Sequence, residues 1–204
     1  SDRRITKVVL AGALDNPNTA MGFNNNASDQ YVTSNDSFVN PTTYSTEAWF
    51  KTTTTSGGKI VGFGCSFTSP SGCYDRHVYM QDDGKLVFGT YTGQLNTITS
   101  PNAYNDGAWH HVVATQGAPE GMRLYVDGVE VGTNPQTSAE GYTGYWHVGG
   151  DNTWGSSSQW FNGDIDEVAI YTHALNAGRV LAHFQAAQPA PNQPPVAALA
   201  VTKS

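Results

Sequence analysis

Apolar residues recur at every second position through much of this chain, in short runs broken by turn residues. In Ser45–Lys51, Thr46, Ala48 and Phe50 fall on one face and Glu47, Trp49 and Lys51 on the other, the period-two pattern of a half-buried strand. Arg76–Gln81 leads through Asp82-Asp83-Gly84-Lys85, a tight-turn signal, into Leu86–Tyr91, which predicts a hairpin. Trp109–Gln116 and Met122–Val126 predict a second antiparallel pair, and Asp127-Gly128 a two-residue turn into Val129–Gly132. With Tyr145–Gly149 and Asp164–Tyr171 the total is at least eight strands. Many short strands with frequent turns favour a two-sheet sandwich over a barrel. One helix is expected: Asn176 can cap Ala177–Gln185, where Val180, Leu181 and Phe184 stand at helical spacing. Its place at the end of the strands suggests a cover for one open end or edge of the sandwich.

Residues 1–187 read as one domain. Residues 188–195, QPAPNQPP, hold four prolines and no charge, an extended semi-rigid linker. Residues 196–204 then read as the start of a following unit, with Val196–Val201 as its first strand, or as a tail; on the first reading the chain is a module of a longer protein.

Composition narrows the function. Of 204 residues 38% are hydrophobic and only 13% charged, too few charges for coiled coils or helical bundles. The formal charge of −7 argues against nucleic acid and anionic membranes as partners, because both need a Lys/Arg face. No apolar run approaches the ~18–20 residues of a membrane span. Cys65 and Cys73, eight residues apart in a Ser/Pro/Gly-rich loop, are expected to pair. A disulfide implies an oxidising, extracytoplasmic compartment and a secreted protein; two cysteines without a matching second pair do not make a zinc site.

Three motifs occur in order: Ala20-Met-Gly-Phe-Asn-Asn-Asn-Ala-Ser-Asp-Gln-Tyr-Val32; Asp106-Gly-Ala-Trp-His-His-Val-Val113 followed by Leu124-Tyr-Val-Asp-Gly-Val129; and Gly163-Asp-Ile-Asp-Glu-Val-Ala-Ile-Tyr171 followed by Ala174-Leu175. Together they resemble the laminin-G-like (concanavalin A-like lectin/glucanase) domain of bacterial secreted proteins, over roughly residues 8–187. The resemblance implies an all-β, antiparallel two-sheet jelly roll with one short C-terminal helix. It also implies a structural calcium between the N-terminal segment and the last long strand. Asp166 matches that strand; the partner loop is Leu14-Asp15-Asn16 or Phe23-Asn24-Asn25-Asn26, giving Asp15, Asn16 and Asn24 as candidate ligands. Related domains often have Phe-Asp-Gly where this chain has Phe23-Asn24-Asn25. Asn192-Gln-Pro-Pro-Val-Ala-Ala is similar to the start of a PKD-type domain.

Within these motifs, Trp109 is expected to pack under the Asn105–Gly107 turn, and one of His110 and His111 to face inward as a core histidine. Tyr171 with Leu175 reads as a latch between the last strand and the helix.

Two kinds of chemistry compete. Asp164 and Asp166 share one side of a strand with Cβ atoms about 7 Å apart, within the range of glycosidase pairs, and Glu167 adjoins them. The related glucanases carry Glu-x-Asp-x-x-Glu, whereas this chain has Asp-x-Asp-Glu, so catalysis is not expected. No G-x-S-x-G or H-E-x-x-H motif is present. Sugar binding is favoured instead, since it needs aromatic platforms beside planar polar groups. The long loop 149–163, with Trp146 and His147 before it, offers Asp151, Asn152, Trp154 and Trp160, with Phe161 and Trp146 alternatively in the core. A second region is Asp75 and Arg76 with Tyr91 across the hairpin; Asp75-Arg76 reads alternatively as a surface ion pair. The expectation is a non-catalytic, calcium-stabilised carbohydrate-binding module of a secreted multidomain protein, with glycan and neighbouring domains as partners. The alternatives are a structural or adhesive spacer, or a hydrolase or lyase of the same fold.

Overall fold

The computed structural model describes residues 4–6, 20–25 and 30–187. The linker, the segment after it, and Asp15 and Asn16 lie outside the described residues. In chain order the strands are β1 (Arg4–Thr6), β2 (Met21–Phe23), β3 (Val32–Thr33), β4 (Phe38–Val39), β5 (Tyr44–Lys51), β6 (Gly58–Gly64), β7 (Tyr74–Met80) and β8 (Lys85–Tyr91). They continue with β9 (Leu95–Ala103), β10 (Trp109–Gly117), β11 (Gly121–Val126), β12 (Val129–Asn134), β13 (Thr143–Val148) and β14 (Gly163–Tyr171), and end in helix α1 (Ala177–Ala186). They form two seven-stranded sheets. The first runs β1-β14-β5-β10-β11-β12 with β2 also on β14; the second runs β3-β13-β6-β7-β8-β9 with β4 also on β13. Every pairing is antiparallel. This is the two-sheet sandwich that the pattern predicts and the jelly roll that the resemblance implies. Among the described residues no helix is long and apolar enough to cross a membrane.

The core lies between the sheets. Ala48, Phe50, Val112, Leu124 and Ile165 of the first sheet meet Val61, Phe63, Phe88, Trp146 and Val148 of the second. Besides the short strands β1–β4, two longer strands escape the pattern. In β6 all seven residues are buried, because its outer face is also covered, so no alternation is visible. In β9 the buried positions are Asn96, Ile98 and Ser100, and a polar buried register carries no hydrophobic signal. The Asp127-Gly128 turn has φ of 51° and 78°, the left-handed pair that joins strands with matching twist.

Helix α1 covers a face rather than an end or edge. Alternation on β5 turns Glu47 and Trp49 away from the core, and His111, Val113 and Tyr171 share that outer face. Asn176 caps the helix by accepting from the Arg179 amide at 3.0 Å. Val180 then packs with Val113, Tyr125, Tyr171 and Leu175, and Phe184 stacks on Trp49 with ring centroids 5.8 Å apart. His111 is the buried histidine of its pair, but it lies under the helix, outside the main core. Trp109 does not pack under its turn: it is 41% exposed.

Glu47 joins these parts. Its carboxylate accepts from Tyr171 Oη at 2.6 Å and lies 2.8 Å from His111 Nε2 and 3.1 Å from His183 Nδ1. Burial pushes this carboxyl up, but hydrogen bonds from His111, His183 and Tyr171 outweigh it and hold the group at about 2. The expected latch of Tyr171 and Leu175 is therefore anchored on β5, where Ser45 Oγ also accepts from the Leu175 amide at 2.9 Å. Glu47→Ala should cost on the order of 3 kcal/mol, because it strands the buried His111 and Tyr171 and the half-buried His183; a lower urea midpoint at unchanged m-value would register it. Since the folded value of about 2 lies below the ordinary 4.5, Glu47's contribution is complete above the ordinary value. It fades as pH falls from there towards the folded value, so the gap between wild type and variant should narrow over that window.

Candidate functional site

The outer face of the second sheet holds an unusual density of polar groups. Tyr145 and His147 of β13 point outward, while Trp146 and Val148 point into the core. Opposite them on β6 stand Gly64 and Gly62, and Gly89 lies opposite His77 in the β7–β8 pair. These glycines make room for other side chains. A Cβ on Gly62 would come within 2.6 Å of His77 Cβ and 3.0 Å of Lys59 Nζ; one on Gly89 would strike the Trp154 ring. Lys59 is fully buried and its Nζ donates to His77 Nδ1 at 2.7 Å. Burial lowers the Lys59 ammonium to about 8 against the opposing pull of Asp151 and Asp75. Burial and the Lys59 charge hold His77 well below its ordinary value.

Two loops cover this face. The first, residues 65–73, is closed by the Cys65–Cys73 disulfide, with Cα atoms 5.4 Å apart. The second is the 149–163 loop. Asp151 Oδ1 accepts from the Ser71 amide at 2.6 Å and the Asn152 amide at 2.8 Å. Asn152 Nδ2 donates to the Ser71 carbonyl at 2.7 Å, and Ser69 Oγ donates to the Gly150 carbonyl at 3.0 Å. Gln159 Nε2 donates to Asn152 Oδ1. His147 Nε2 lies 2.9 Å from the Ser66 carbonyl, which can only accept, so Nε2 carries the proton. Its other nitrogen then faces Asp151 Oδ2 at 3.5 Å. Burial pushes His147 below its ordinary value, and Asp151 works against that shift.

The expected binding residues thus divide. Asp151 is completely buried and staples the two loops together. Asn152 is half-buried with its amide engaged at both ends. Trp154 is a half-buried plug, edge-on to His77 at 4.3 Å. Trp160 is half-buried and reaches solvent beside Tyr31, 6.2 Å away between centroids. Trp146 and Phe161 are core residues.

A run of rings that the sequence reading did not assemble lies across this face. Phe67, in the disulfide loop, is 54% exposed and meets Tyr145 edge-on at 5.3 Å. Two residues along β13, His147 stacks with Tyr31 at 6.0 Å and 9°, and Tyr31 adjoins Trp160. Tyr31, Tyr145 and Trp160 are all half-buried. The signals were present in two places: an aromatic between paired cysteines, and Tyr145 out of phase with the core residue Trp146.

Asp75 and Arg76 are not on the surface, either as a ligand grip or as an exposed ion pair. Both are completely buried. Arg76 donates to Asp75 Oδ1 at 2.5 Å, the Pro41 carbonyl at 2.7 Å, and Asn40 Oδ1 and the Glu140 carbonyl at 2.6 Å each. Its guanidinium lies between the Phe63 and Tyr142 rings, 5.1 Å from each centroid. Asp75 also accepts from Tyr142 Oη and from the Tyr91 and Glu140 amides. Tyr91 therefore meets Asp75 through its backbone.

Among the described residues no three His, Cys, Asp or Glu side chains converge to hold a metal. Asn24 and Asp166 are not brought together. Phe23 pairs with Gly163, so Asn24 continues away from Asp166, roughly 13 Å along the strand at ~3.3 Å per residue. Asp166 is 5% exposed, and its Oδ1 accepts from the Glu167 amide at 2.8 Å; burial raises its carboxyl. Asp164 and Asp166 share the outer face of the first sheet, as expected, but burial of Asp166 leaves no open cleft between two carboxylates.

The sequence model of the concanavalin A-like lectin/glucanases superfamily (Laminin_G_3) matches residues 25–181. No curated protein matches the sequence. Among solved structures, the chain is similar to a native heptameric SAP-like pentraxin from Limulus polyphemus, with TM-score 0.59 and 17% identity over 78% of each chain. It is also similar to the Ruminococcus gnavus IT-sialidase CBM40 bound to α2,3 sialyllactose, with TM-score 0.57, 18% identity, and 72% of this chain and 83% of that one covered. A third is domain 4 of AbnA, a GH43 extracellular arabinanase from Geobacillus stearothermophilus, in complex with arabinotriose (TM-score 0.53, 20% identity, 71% and 68% covered).

The two buried histidines generate a pH prediction. His77 and His147 both titrate below their ordinary value of 6.5, so below that value the unfolded chain takes up protons that the folded one does not. Stability should fall as pH drops from neutral through that range. The melting temperature across a pH series would show it, and His147→Gln, which keeps a donor for the Ser66 carbonyl, should flatten the slope.

Proposed function

As the chain belongs to the concanavalin A-like lectin/glucanase superfamily, we propose that it is a non-catalytic carbohydrate-binding domain whose site is the outer face of the second sheet. The observation that carries this reading is two groups of solvent-reaching rings on that face, Phe67 with Tyr145 and Tyr31 with Trp160, the second seated on the buried His147. The C–H face of a sugar ring packs on such a surface, and its hydroxyls reach the polar edges around it. Stapling by Asp151, Asn152 and the disulfide holds the rings in place before ligand arrives, which lowers the ordering cost of binding. The bound glycans in two of the similar structures support the class of ligand. The disulfide supports export to an oxidising compartment, and the proline-rich residues 188–195 support a place within a longer chain.

The same reading includes a structural calcium held by Asp166 with Asp15 and Asn16. The chain leaves the edge of β14 at Thr6, opposite Ile170, and rejoins it at Met21, opposite Ile165. Asp15 and Asn16 fall in sequence between those points, and the bulge that carries Asp166 lies between them on β14. Such an ion would cross-link the segment to the strand. Calcium added back after chelation is expected to raise the melting temperature of wild type and leave Asp166→Asn unmoved; an unmoved wild type removes the metal from the reading.

The main test is a polysaccharide pull-down and glycan array with the 204-residue chain. Phe67→Ala and Tyr145→Ala are each expected to weaken binding about 2- to 10-fold, corresponding to ~0.5–1.5 kcal/mol per lost ring, with the melting temperature of Phe67→Ala unchanged. Absence of any glycan binding by wild type would leave a spacer domain.

A further inference from the structure

We propose that the domain carries a second sugar site, on the outer face of the first sheet, which takes one uncharged ring through neighbouring hydroxyls. Four adjacent strands set it out. Trp109 of β10 lies opposite Lys51 of β5, Lys51 lies opposite Asp164 of β14, and Asp164 lies opposite Gly22 of β2. Residues opposite each other in antiparallel strands project to the same face with Cβ atoms about 4.5–5.5 Å apart. An aromatic ring, a cation, an anion and a bare glycine therefore stand in one row.

This row lies just past the edge of the helix. Trp49, one row inward and opposite both His111 and Asp166, is covered by Phe184 of α1. Beyond it Lys51 and Asp164 are half-buried and Trp109 is 41% exposed. Between Lys51, Asp164, Thr52, Thr53 and Asn162 is a pocket of about 210 Å³, below the ~300–1,000 Å³ of drug-sized sites and suited to a single ring. Its wall is fixed: the Gly107 amide donates to the Thr52 carbonyl at 2.9 Å, and the Thr52 hydroxyl donates to the Asn162 carbonyl. Gly107 stands at φ 83°, a left-handed backbone that favours glycine, and brings no side chain to the mouth.

The chemistry follows from two unused groups. Lys51 and Asp164 are direct neighbours, yet neither side chain makes a hydrogen bond or ion pair among the described residues. An ammonium has three donors and a carboxylate only acceptors. A pair of adjacent hydroxyls answers both, donating to Asp164 and accepting from Lys51; Trp109 stands beyond Lys51 in the same row, outside the pocket's lining, where it can meet the part of the ring that projects from the mouth. The two charges cancel, so the pair offers no net attraction to a ligand of either sign, and a charged group held by one of them lies beside its like in the other. This site uses none of the residues of the aromatic face on the second sheet, so the two can be tested apart.

The test titrates the full chain with the methyl glycosides of glucose, galactose and mannose, and with glucuronate, glucosamine and glycine, by saturation-transfer NMR and calorimetry. At least one neutral glycoside should bind. Its affinity should drop at least tenfold in Trp109→Ala and in the isosteric Asp164→Asn, at unchanged melting temperature, and should survive in Phe67→Ala. Retained affinity in both first-sheet variants, loss in Phe67→Ala alone, or no binding by any neutral glycoside would overturn the second site. A response to glucuronate, glucosamine or glycine alone would overturn its assignment to an uncharged ring. Loss of polysaccharide capture in Phe67→Ala bears only on the aromatic face.

Discussion

Removing a charge from water without partners costs several kcal/mol, and this sandwich buries Glu47, Lys59, Asp75, Arg76, Asp151 and Asp166. Where the answering groups come from decides where the loops and the helix lie. Arg76 and Asp75 draw Asn40, Pro41, Glu140 and Tyr142 onto the end of β7. Glu47 draws α1 down through His183 and holds His111 and Tyr171 beneath it. Asp151 draws the disulfide loop onto the loop after β13. Each compensation spans parts of the chain far apart in sequence, so these charges act as long-range fasteners in a fold whose core is otherwise apolar.

The two outer faces answer the same need in different ways. On the first sheet, ladder strands present Trp49, Val113 and Tyr125, which a short amphipathic helix can cover. On the second, Lys59, His77 and His147 require hydrogen-bonding partners that an apolar helix face lacks. Irregular backbone supplies part of this: the Ser66 carbonyl faces His147 Nε2, while the Ser71 and Asn152 amides donate to Asp151, which lies beside His147. Backbone used in this way leaves its side chains to point outward, and that is where Phe67 and Trp160 are found. The rings reach solvent because the loops that bear them are occupied, through their main chain, in compensating what lies beneath.

Much of this was legible in the sequence, and what was not has a common cause. Alternation in β5, β10, β11 and β14 exposed the sandwich, and Asn176 with Val180 exposed the helix. β6 was hidden because a strand covered on both faces does not alternate, and β9 because its inward residues include Asn96 and Ser100. At the site, the 149–163 loop was legible from its length and its Trp and Asn content. The roles inside it were not: Asp151 and Asp75 look like ligand-binding acids in sequence, but whether a carboxylate faces a ligand or a buried amide depends on residues 80 or 65 positions away. Trp109 shows the converse. Its setting before a strand suggested a packed residue, but β10 brings it to the uncovered end of the face that α1 protects.

Geometry also sets what two sugar sites can do together. Packed sheets lie about 10 Å apart, and the aromatic run and the Trp109–Lys51–Asp164 row sit on opposite outer surfaces. They face away from each other, so a short oligosaccharide cannot occupy both. Bivalency then gives no gain on a single short chain, since linked sites raise apparent affinity only when one ligand can span them. On a dense polysaccharide the neighbouring strands lie on every side, and a domain with binding chemistry on both faces can sit between them. The sites also differ in kind. The rings would offer contact area for more than one sugar unit, whereas the pocket, open to solvent, would take one ring through its hydroxyls. The first would supply contact area, and the second a choice among sugars that ring contacts alone cannot make.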